Sequence, residues 1–253
     1  MFTTFNGSGL PPGFALAWAL NGRGNSQPRV SFIENPLAAG LRLPQDDAII
    51  CWIGTLASAT DLTVLAGRAG LDESERTRMA AFRLREDAVA YAAAHGALRL
   101  VLGSMLACVP EALEFGVGEY GKPLLLSPGL RDEPLQFSIS HSSDVAAIAI
   151  SRHAVGIDIE KRAWREDLLD VARSSFAEEQ LASFFAASGE RRAKLFFRYW
   201  TLGEALIKAT GMGLHQNLKG FAFTSDGPPR LTRLEPGLGQ PEHWHFGLGI
   251  SDG

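Results

Sequence analysis

The stretch Val155-Gly-Ile-Asp-Ile-Glu160 has the alternation of a β-strand with one buried face. Ile157 and Ile159 point to one side of such a strand, and Asp158 and Glu160 project together from the other. Neighbouring carboxylates repel each other unless protons or a cation compensate, and oxygen ligands favour a hard ion such as Mg²⁺. An acidic strand face open to water is the alternative interpretation, because such faces are common.

A helix predicted over residues 191–209 carries polar side chains that would complement this strand. Trp200, Glu204 and Lys208 are spaced four residues apart, so they lie along one side of the helix. Taken separately, Glu204 and Lys208 could form a surface ion pair, and Trp200 could belong to the core. Together with the acidic strand, they supply a third carboxylate for a metal and a cation for a phosphate. The combination suits a phosphate-bearing substrate.

The segments around these two motifs alternate between strand and helix patterns. Apolar or alternating runs predict strands at 48–54, 136–140, 145–151, 155–161, 221–223 and 244–250. The three strands between 136 and 161 are separated by short turns, which predicts an antiparallel meander. Capping boxes at Asp72/Glu75 and Ser175/Glu178 predict two helix starts, and helical spacing predicts a helix through 91–102. This order predicts an α+β fold with two similar halves.

Composition along the chain suggests where these halves divide. Residues 1–44 are rich in Gly, Pro, Asn and Ser, which predicts an irregular N-terminal segment. Residues 116–134 form a looser segment that contains Gly121-Lys122-Pro123. We therefore predict an N-terminal α+β half over 45–134 and a C-terminal half over 135–253 that carries the metal site.

Composition and charge exclude several classes of protein. Hydrophobic residues make up 46% and charged residues 21% of the 253 residues, as in ordinary globular proteins. The net charge is −4 and no basic block is present, so we expect no nucleic-acid partner. Two cysteines, Cys51 and Cys108, cannot build a disulfide framework. No signal peptide or membrane span is evident, so we expect a cytoplasmic protein without a membrane partner.

Five motifs together resemble the 4'-phosphopantetheinyl transferase family. The strand 155–161 and the helix segment 200–208 resemble its two signature motifs in order and separation. Upstream, 121–123 and 137–142 resemble two further motifs, and 82–99 resembles the helical region of the N-terminal half. The likeness covers about residues 70–225 and is specific as a set, although each motif separately is weak.

The chain length is similar to that of the long, monomeric surfactin-type (Sfp-like) members. The resemblance implies two pseudo-symmetric α+β halves with coenzyme A in the cleft between them. It also implies transfer of the 4'-phosphopantetheine group to a serine of an apo acyl or peptidyl carrier protein, with release of adenosine 3',5'-bisphosphate. Mg²⁺, or alternatively Mn²⁺, would be the metal.

The resemblance assigns roles to individual side chains. Asp158, Glu160 and Glu204 would bind the metal, and Lys208 and Lys122 would neutralise phosphate charge. Ser140 with His141 would contact the 3'-phosphate region. The carrier serine needs a base, for which Glu204 is the candidate, Glu160 the alternative and His141 a third option.

Two positions depart from the family pattern. Gly203 stands where the helix motif usually has a lysine, which removes a cation and costs about 1 kcal/mol of helix propensity against Ala. Ala90 stands where long members often carry an arginine associated with the 3'-phosphate. The candidates to replace that arginine are Arg76, Arg78, Arg83 and Arg85, of which Arg78 is assigned to coenzyme A.

A docking surface for an acidic carrier would need local cations and apolar residues. The contributors considered are Phe176, Phe184, Phe185, Arg191, Arg192 and Lys194, although the phenylalanines could equally be core. Two other functions use the same residues. One is an Mg²⁺-dependent hydrolase of nucleotides or diphosphates, and the other is a non-catalytic regulator that binds coenzyme A.

Overall fold

Two β-sheets, each packed against a long helix, organise the residues that the computed structural model describes, which are 10–22, 27–33, 41–55, 70–126 and 134–251. The strands are β1 (Phe14–Asn21), β2 (Arg29–Ile33), β3 (Ala48–Thr55), β4 (Phe115–Val117), β5 (Pro123–Leu125), β6 (Gln136–Ser142), β7 (Val145–Ser151), β8 (Ala154–Lys161), β9 (Phe221–Phe223), β10 (Leu231–Leu234) and β11 (Trp244–Ile250). The helices are α1 (Glu73–Ala80), α2 (Arg85–Leu106), α3 (Leu168–Ser175), α4 (Glu178–Ala186) and α5 (Gly189–Thr210).

The first sheet has the strand order β2-β3-β7-β6 and is covered on one face by α2. Leu98, Val101 and Leu102 of this helix pack against Phe137 and Ile148 of the sheet. By length and composition α2 could span a bilayer, but 61% of its most apolar stretch is buried inside the protein, as in a core helix. Its apolar character is therefore explained by packing against the sheet.

The second sheet has the strand order β11-β1-β8 and is covered on one face by α5. Its other face packs against the first sheet, where Ile157 and Ile159 of β8 meet Ala147 and Ala149 of β7. The layers therefore run α2, first sheet, second sheet, α5. Each half pairs one sheet with one 22-residue helix, which agrees with the predicted α+β class.

The edges of β6 and β8 are joined by serine side chains in place of a strand ladder. Alternate serine hydroxyls of β6 accept hydrogen bonds from alternate backbone amides of β8: Ser138 from Ile157 at 3.0 Å, Ser140 from Ile159 at 3.3 Å and Ser142 from Lys161 at 3.0 Å. These bonds satisfy three backbone amides on the outer edge of β8.

The prediction of an irregular segment over 1–44 was wrong where the structure describes it. β1 is the central strand of the second sheet, and β2 is the edge strand of the first. Every residue of Phe14–Leu20 is buried, so this strand lacks the polar alternation that would have marked it, and Gly/Pro-rich flanks obscured it. Residues 1–9, 23–26 and 34–40 of the segment lie outside the described residues.

The meander prediction held for β6 and β7 and was wrong for β8. β8 pairs with β1, over a register from Phe14↔Lys161 to Asn21↔Ala154. The first sheet takes β2 and β3 from before residue 134 and β6 and β7 from after it, so the predicted boundary at this residue does not separate the sheets. Strand patterns are local, whereas the choice of partner depends on long-range packing.

Of the two capping boxes predicted from the sequence, one is present. Asp72 and Glu75 form the predicted reciprocal capping box of α1, and α5 ends at Gly211 with the left-handed φ of 75°. The predicted capping box at Ser175 and Glu178 was wrong, because Ser175 is the last residue of α3 and α4 begins at Glu178 behind Ala177.

Candidate active site

Gly156 allows α5 to lie directly on β8. A methyl group added to Gly156 would lie 1.9 Å from the Ala205 carbonyl oxygen and 2.6 Å from the Ala209 backbone nitrogen. Only a residue without a side chain permits this approach. As a result, Glu204 and Lys208, on the polar side of the helix, face the acidic side chains of the strand.

Asp158, Lys208 and Ser140 form the buried centre of the site. The Lys208 ammonium donates to Asp158 Oδ1 at 2.7 Å and to the Ser140 hydroxyl at 2.9 Å. The Ser140 hydroxyl in turn donates to Asp158 Oδ1 at 2.9 Å. Asp158 is only 3% exposed, and in the described part of the chain its Oδ2 has no hydrogen-bond partner. One carboxylate oxygen is thus satisfied and the other is not.

Glu160 is held from two sides. The Trp200 indole donates to its Oε1 at 3.1 Å, and the Ser142 hydroxyl donates to its Oε2 at 3.1 Å. Burial, followed by the negative charge of Asp158, raises the pKa of Glu160, and these hydrogen bonds oppose the shift. Trp200 therefore orients the Glu160 carboxylate. The spacing of Trp200, Glu204 and Lys208 had predicted only that these three residues lie along one side of the helix.

Glu204 is the freest of the three acids. Among the described residues nothing donates a hydrogen bond to its carboxylate. Burial raises its pKa, and the neighbouring charge of Asp158 raises it further, while Lys208 acts in the opposite direction. A half-buried carboxyl with a raised pKa and no fixed partner is suited to accept a proton near neutral pH.

A cavity of about 380 Å³ opens beside Glu204 and Lys208. Its wall is mainly apolar and includes Phe137, Ile139 and Leu218. Charged groups thus lie at one side of an apolar space, an arrangement typical of small-molecule sites.

Lys122 lines the same cavity as Glu204 and Lys208, but its ammonium bonds to backbone carbonyls and not to the acids. Its ammonium donates to the backbone carbonyls of Val155 at 3.2 Å and Ala209 at 3.1 Å. Burial lowers its pKa to about 8. These bonds differ from the phosphate contact expected from the sequence.

The residues expected near a 3'-phosphate lie on two elements, β6 and α1. Ser140 lies in the centre of the site, and His141 follows it as a half-buried residue. Burial lowers the pKa of His141, and the nearby His95 and Lys208 lower it further, which favours a neutral ring. Arg78 is exposed in the last turn of α1. Their binding roles stay predictions.

The two departures from the family pattern are both buried. A methyl group added to Gly203 would meet the Phe221 ring at 3.3 Å, so this ring takes the space that a longer side chain would need. Ala90 is 9% exposed within α2. A lysine or arginine at either position would have to displace packed neighbours.

The residues considered for carrier docking divide between core and surface. Phe176 and Phe184 are buried in the cluster around α5. Phe185 is 40% exposed, and the Arg173 guanidinium lies 5.3 Å from its ring centre. Only Phe185 of the three phenylalanines is therefore available at the surface.

The acids do not form a ready metal cage. Within the described ranges, no group of three or more His, Cys, Asp or Glu is arranged to hold a metal ion. Lys208 occupies one oxygen of Asp158, and Trp200 and Ser142 hold both oxygens of Glu160. The unpartnered Asp158 Oδ2 and the raised pKa values of Glu160 and Glu204 nevertheless fit a hard divalent cation, which would compensate their mutual repulsion.

The alternate serines of β6, Ser138, Ser140 and Ser142, all bond to β8, and the sequence analysis did not predict this. Ser138 and Ser142 were not assigned to the site, yet Ser142 bonds to Glu160 and Ser138 to the β8 backbone. The available signal was the repeat of serine at every second position from 138 to 142, which places three hydroxyls on one side of a strand.

Residues 154–251 match the family model described as the 4'-phosphopantetheinyl transferase superfamily. A Synechocystis sp. protein, whose name assigns it provisionally to the 4'-phosphopantetheinyl transferases, is 29% identical over 81% of this chain and 79% of its own length. The Nostoc sp. 4'-phosphopantetheinyl transferase HetI is 33% identical over 58% of this chain and 62% of its own. The Bacillus subtilis 4'-phosphopantetheinyl transferase Sfp is 28% identical over 60% of this chain and 65% of its own length. The chain therefore spans less than two thirds of HetI and of Sfp.

Proposed function

We propose that the chain is a member of the 4'-phosphopantetheinyl transferase superfamily and that it transfers the 4'-phosphopantetheine group of coenzyme A to a serine of an apo acyl or peptidyl carrier protein. The second product would be adenosine 3',5'-bisphosphate. Because Asp158, Glu160, Glu204 and Lys208 come from one chain, a monomer would be sufficient to complete the site.

One observation carries this proposal, namely the convergence of three carboxyl groups and one ammonium beside an apolar cavity. Lys208 lies 2.7 Å from Asp158, and both Lys208 and Glu204 line the cavity. Coenzyme A combines a diphosphate with a long, mainly uncharged pantetheine arm. The charged side of the site would receive the diphosphate, and the cavity of about 380 Å³ would receive the arm.

Asp158, Glu160 and Glu204 would hold Mg²⁺, for which the unpartnered Oδ2 of buried Asp158 leaves a ligand atom available. When bound, the ion would neutralise charge on the diphosphate oxygens. Mn²⁺ prefers the same oxygen ligands and would be an alternative.

The transfer step forms a bond between the carrier serine oxygen and the β-phosphorus. The bond from this phosphorus to the bridging oxygen breaks, and that oxygen leaves with adenosine 3',5'-bisphosphate. Lys208 would stabilise negative charge on the phosphoryl oxygens. Glu204 would accept the serine proton, because its carboxylate has a raised pKa and no competing donor among the described residues. Glu160 is less free, since Trp200 and Ser142 already donate to it.

A mass measurement tests the function. The protein is incubated with coenzyme A, Mg²⁺ and an apo carrier protein, and the carrier is weighed by mass spectrometry. A carrier heavier by one phosphopantetheine supports transfer. Free phosphopantetheine with an unmodified carrier would instead indicate the hydrolase, and binding of coenzyme A without turnover would indicate the regulator. The preferred carrier follows from repeating the assay with carriers from different biosynthetic systems.

A further inference from the structure

Lys122 comes from the turn before β5 and reaches into the junction of β8 and α5. Its ammonium donates to Val155 O at 3.2 Å and to Ala209 O at 3.1 Å. In the described ranges of the chain, these two carbonyls are its hydrogen-bond acceptors, and no carboxylate pairs with it. A cation so placed bridges the strand that carries Asp158 and the helix that carries Lys208.

Both carbonyls lack a regular backbone partner. The amides of Ile157 and Ile159 point from β8 towards the serines of β6. Val155 lies two residues before Ile157, so its backbone groups point to the same side of the strand. The carbonyl of Val155 therefore also points away from β1. Ala209 lies in the last turn of α5, and no backbone amide of the helix end donates to its carbonyl. Without Lys122, two buried or half-buried carbonyls would be left unsatisfied.

The contact lies one residue from the centre of the site. Ala209 directly follows Lys208, whose ammonium is 2.7 Å from Asp158. The Lys122 stem also packs on the helix end, because a methyl group added to Gly211 would lie 3.0 Å from Lys122 Cδ. The close approach of Gly156 to Ala205 and Ala209 occupies the same junction. Lys122 thus acts where a small shift of α5 would move Lys208 relative to Asp158.

We propose that Lys122 is a positioning residue that fastens the last turn of α5 to β8 and does not bind a phosphate of the substrate. Its effect on transfer rests on the proposed function. Its effect on the helix end does not, because the two hydrogen bonds are present without any ligand. The Lys122 ammonium is buried against two carbonyls and has no anionic partner among the described residues, which agrees with this role. Because of this burial, the pKa of Lys122 is lowered to about 8.

Substitution Lys122→Met tests the role by separating binding from turnover. Methionine keeps an apolar stem and removes the donors. We expect kcat to fall by about tenfold or more, because small displacements of reacting groups are costly. The Kd of coenzyme A, measured by calorimetry, should stay within about threefold of the wild-type value. The matched control is Lys219→Met, an exposed lysine whose loss should change neither quantity.

A second measurement does not depend on activity. Hydrogen exchange in the peptide covering 205–213 should become faster in Lys122→Met without ligand, and exchange in Lys219→Met should match the wild type. If Lys122→Met does not fold, Lys122→Arg replaces it. Arginine keeps the charge, but its wider planar head does not match the position of the ammonium between two carbonyls, so kcat should fall while coenzyme A affinity is kept.

The outcomes are distinct. A Kd for coenzyme A raised tenfold or so, with kcat preserved at saturation, would make Lys122 a phosphate ligand and overturn the proposal. Unchanged hydrogen exchange over 205–213 in Lys122→Met would also overturn the proposal. If Lys122→Met does not fold and Lys122→Arg is tested instead, full activity of Lys122→Arg would overturn it. If the wild-type protein modifies no carrier, the proposed function fails, and the exchange measurement still decides whether Lys122 fastens the helix.

Discussion

The Lys208 ammonium lies 2.7 Å from Asp158 Oδ1, so a cation from α5 meets a buried acid from β8. The second oxygen of the same carboxylate has no partner among the described residues. A carboxylate that is half satisfied by the protein is poised to take one further cation. In the proposed function, Asp158 would bind the divalent ion and Lys208 would neutralise phosphate charge, so this pair brings both roles to one place.

Asp158→Asn should raise the Mg²⁺ concentration needed for half-maximal transfer by about tenfold or more, because an amide is a weaker ligand for a hard cation than a carboxylate. The measurement is a metal titration of carrier modification. The control is Asp170→Asn on the exposed side of α3. An unchanged metal dependence would remove Asp158 from the ligand set.

Glu204→Gln should lower kcat by about a hundredfold or more, as expected when a general base is lost. The fold should be retained, because the carboxylate makes no hydrogen bond among the described residues that its removal would break. Carrier modification followed by mass spectrometry, with circular dichroism for the fold, checks both points. Glu178→Gln on α4 is the matched control. A fully active Glu204→Gln variant would exclude Glu204 as the base.

Gly156→Ala should destabilise the protein by about 1–3 kcal/mol or more, because the new methyl group would lie 1.9 Å from the Ala205 carbonyl oxygen. The free energy of unfolding in urea measures this. In the control Gly203→Ala, the methyl group meets only the Phe221 ring at 3.3 Å, so we expect a change within about 1 kcal/mol. Equal stability of the two variants would contradict the close packing of α5 on β8.

Arg99→Met should destabilise the protein by about 3–5 kcal/mol, since it leaves the buried acid Glu75 and the partly exposed Asp72 without their cation. Arg99 is fully buried and bonds to Glu75 at 2.8 Å, to Asp72 at 2.7 Å and to the carbonyls of Pro110 and Leu113. In the double variant with Glu75→Gln, the penalty should be smaller than the sum of the single penalties. Additive effects in urea unfolding would show that the two charges are not coupled.

The stability difference between the wild type and Lys122→Met should depend on pH. The folded-state pKa of Lys122 is lowered to about 8, whereas a lysine in an unfolded chain has a pKa of about 10.4. Between these values the unfolded chain binds more protons, so the unfolding free energy of the wild type should rise with pH relative to the variant. The slope can reach about 1.4 kcal/mol per pH unit. Urea unfolding at pH 8, 9 and 10 measures it, and a flat difference would contradict the burial of this amine.

The chemistry-bearing residues of the site were predictable because their spacing is local. Strand alternation brought Asp158 and Glu160 to one face, and helical spacing brought Trp200, Glu204 and Lys208 to another. The partners of these residues were not predictable in the same way. The bond from Trp200 to Glu160 spans 40 residues and that from Lys122 to Ala209 spans 87.

The α+β class, the start of α1 at Asp72 and the end of α5 at Gly211 follow from local sequence signals, because turn chemistry and periodicity act over a few residues. The pairing of β1 with β8 and the bonds from Lys122 to backbone carbonyls became visible only in the folded chain. Strand pairing and the satisfaction of buried polar groups depend on contacts between distant parts of the chain, and local patterns carry no information about those contacts.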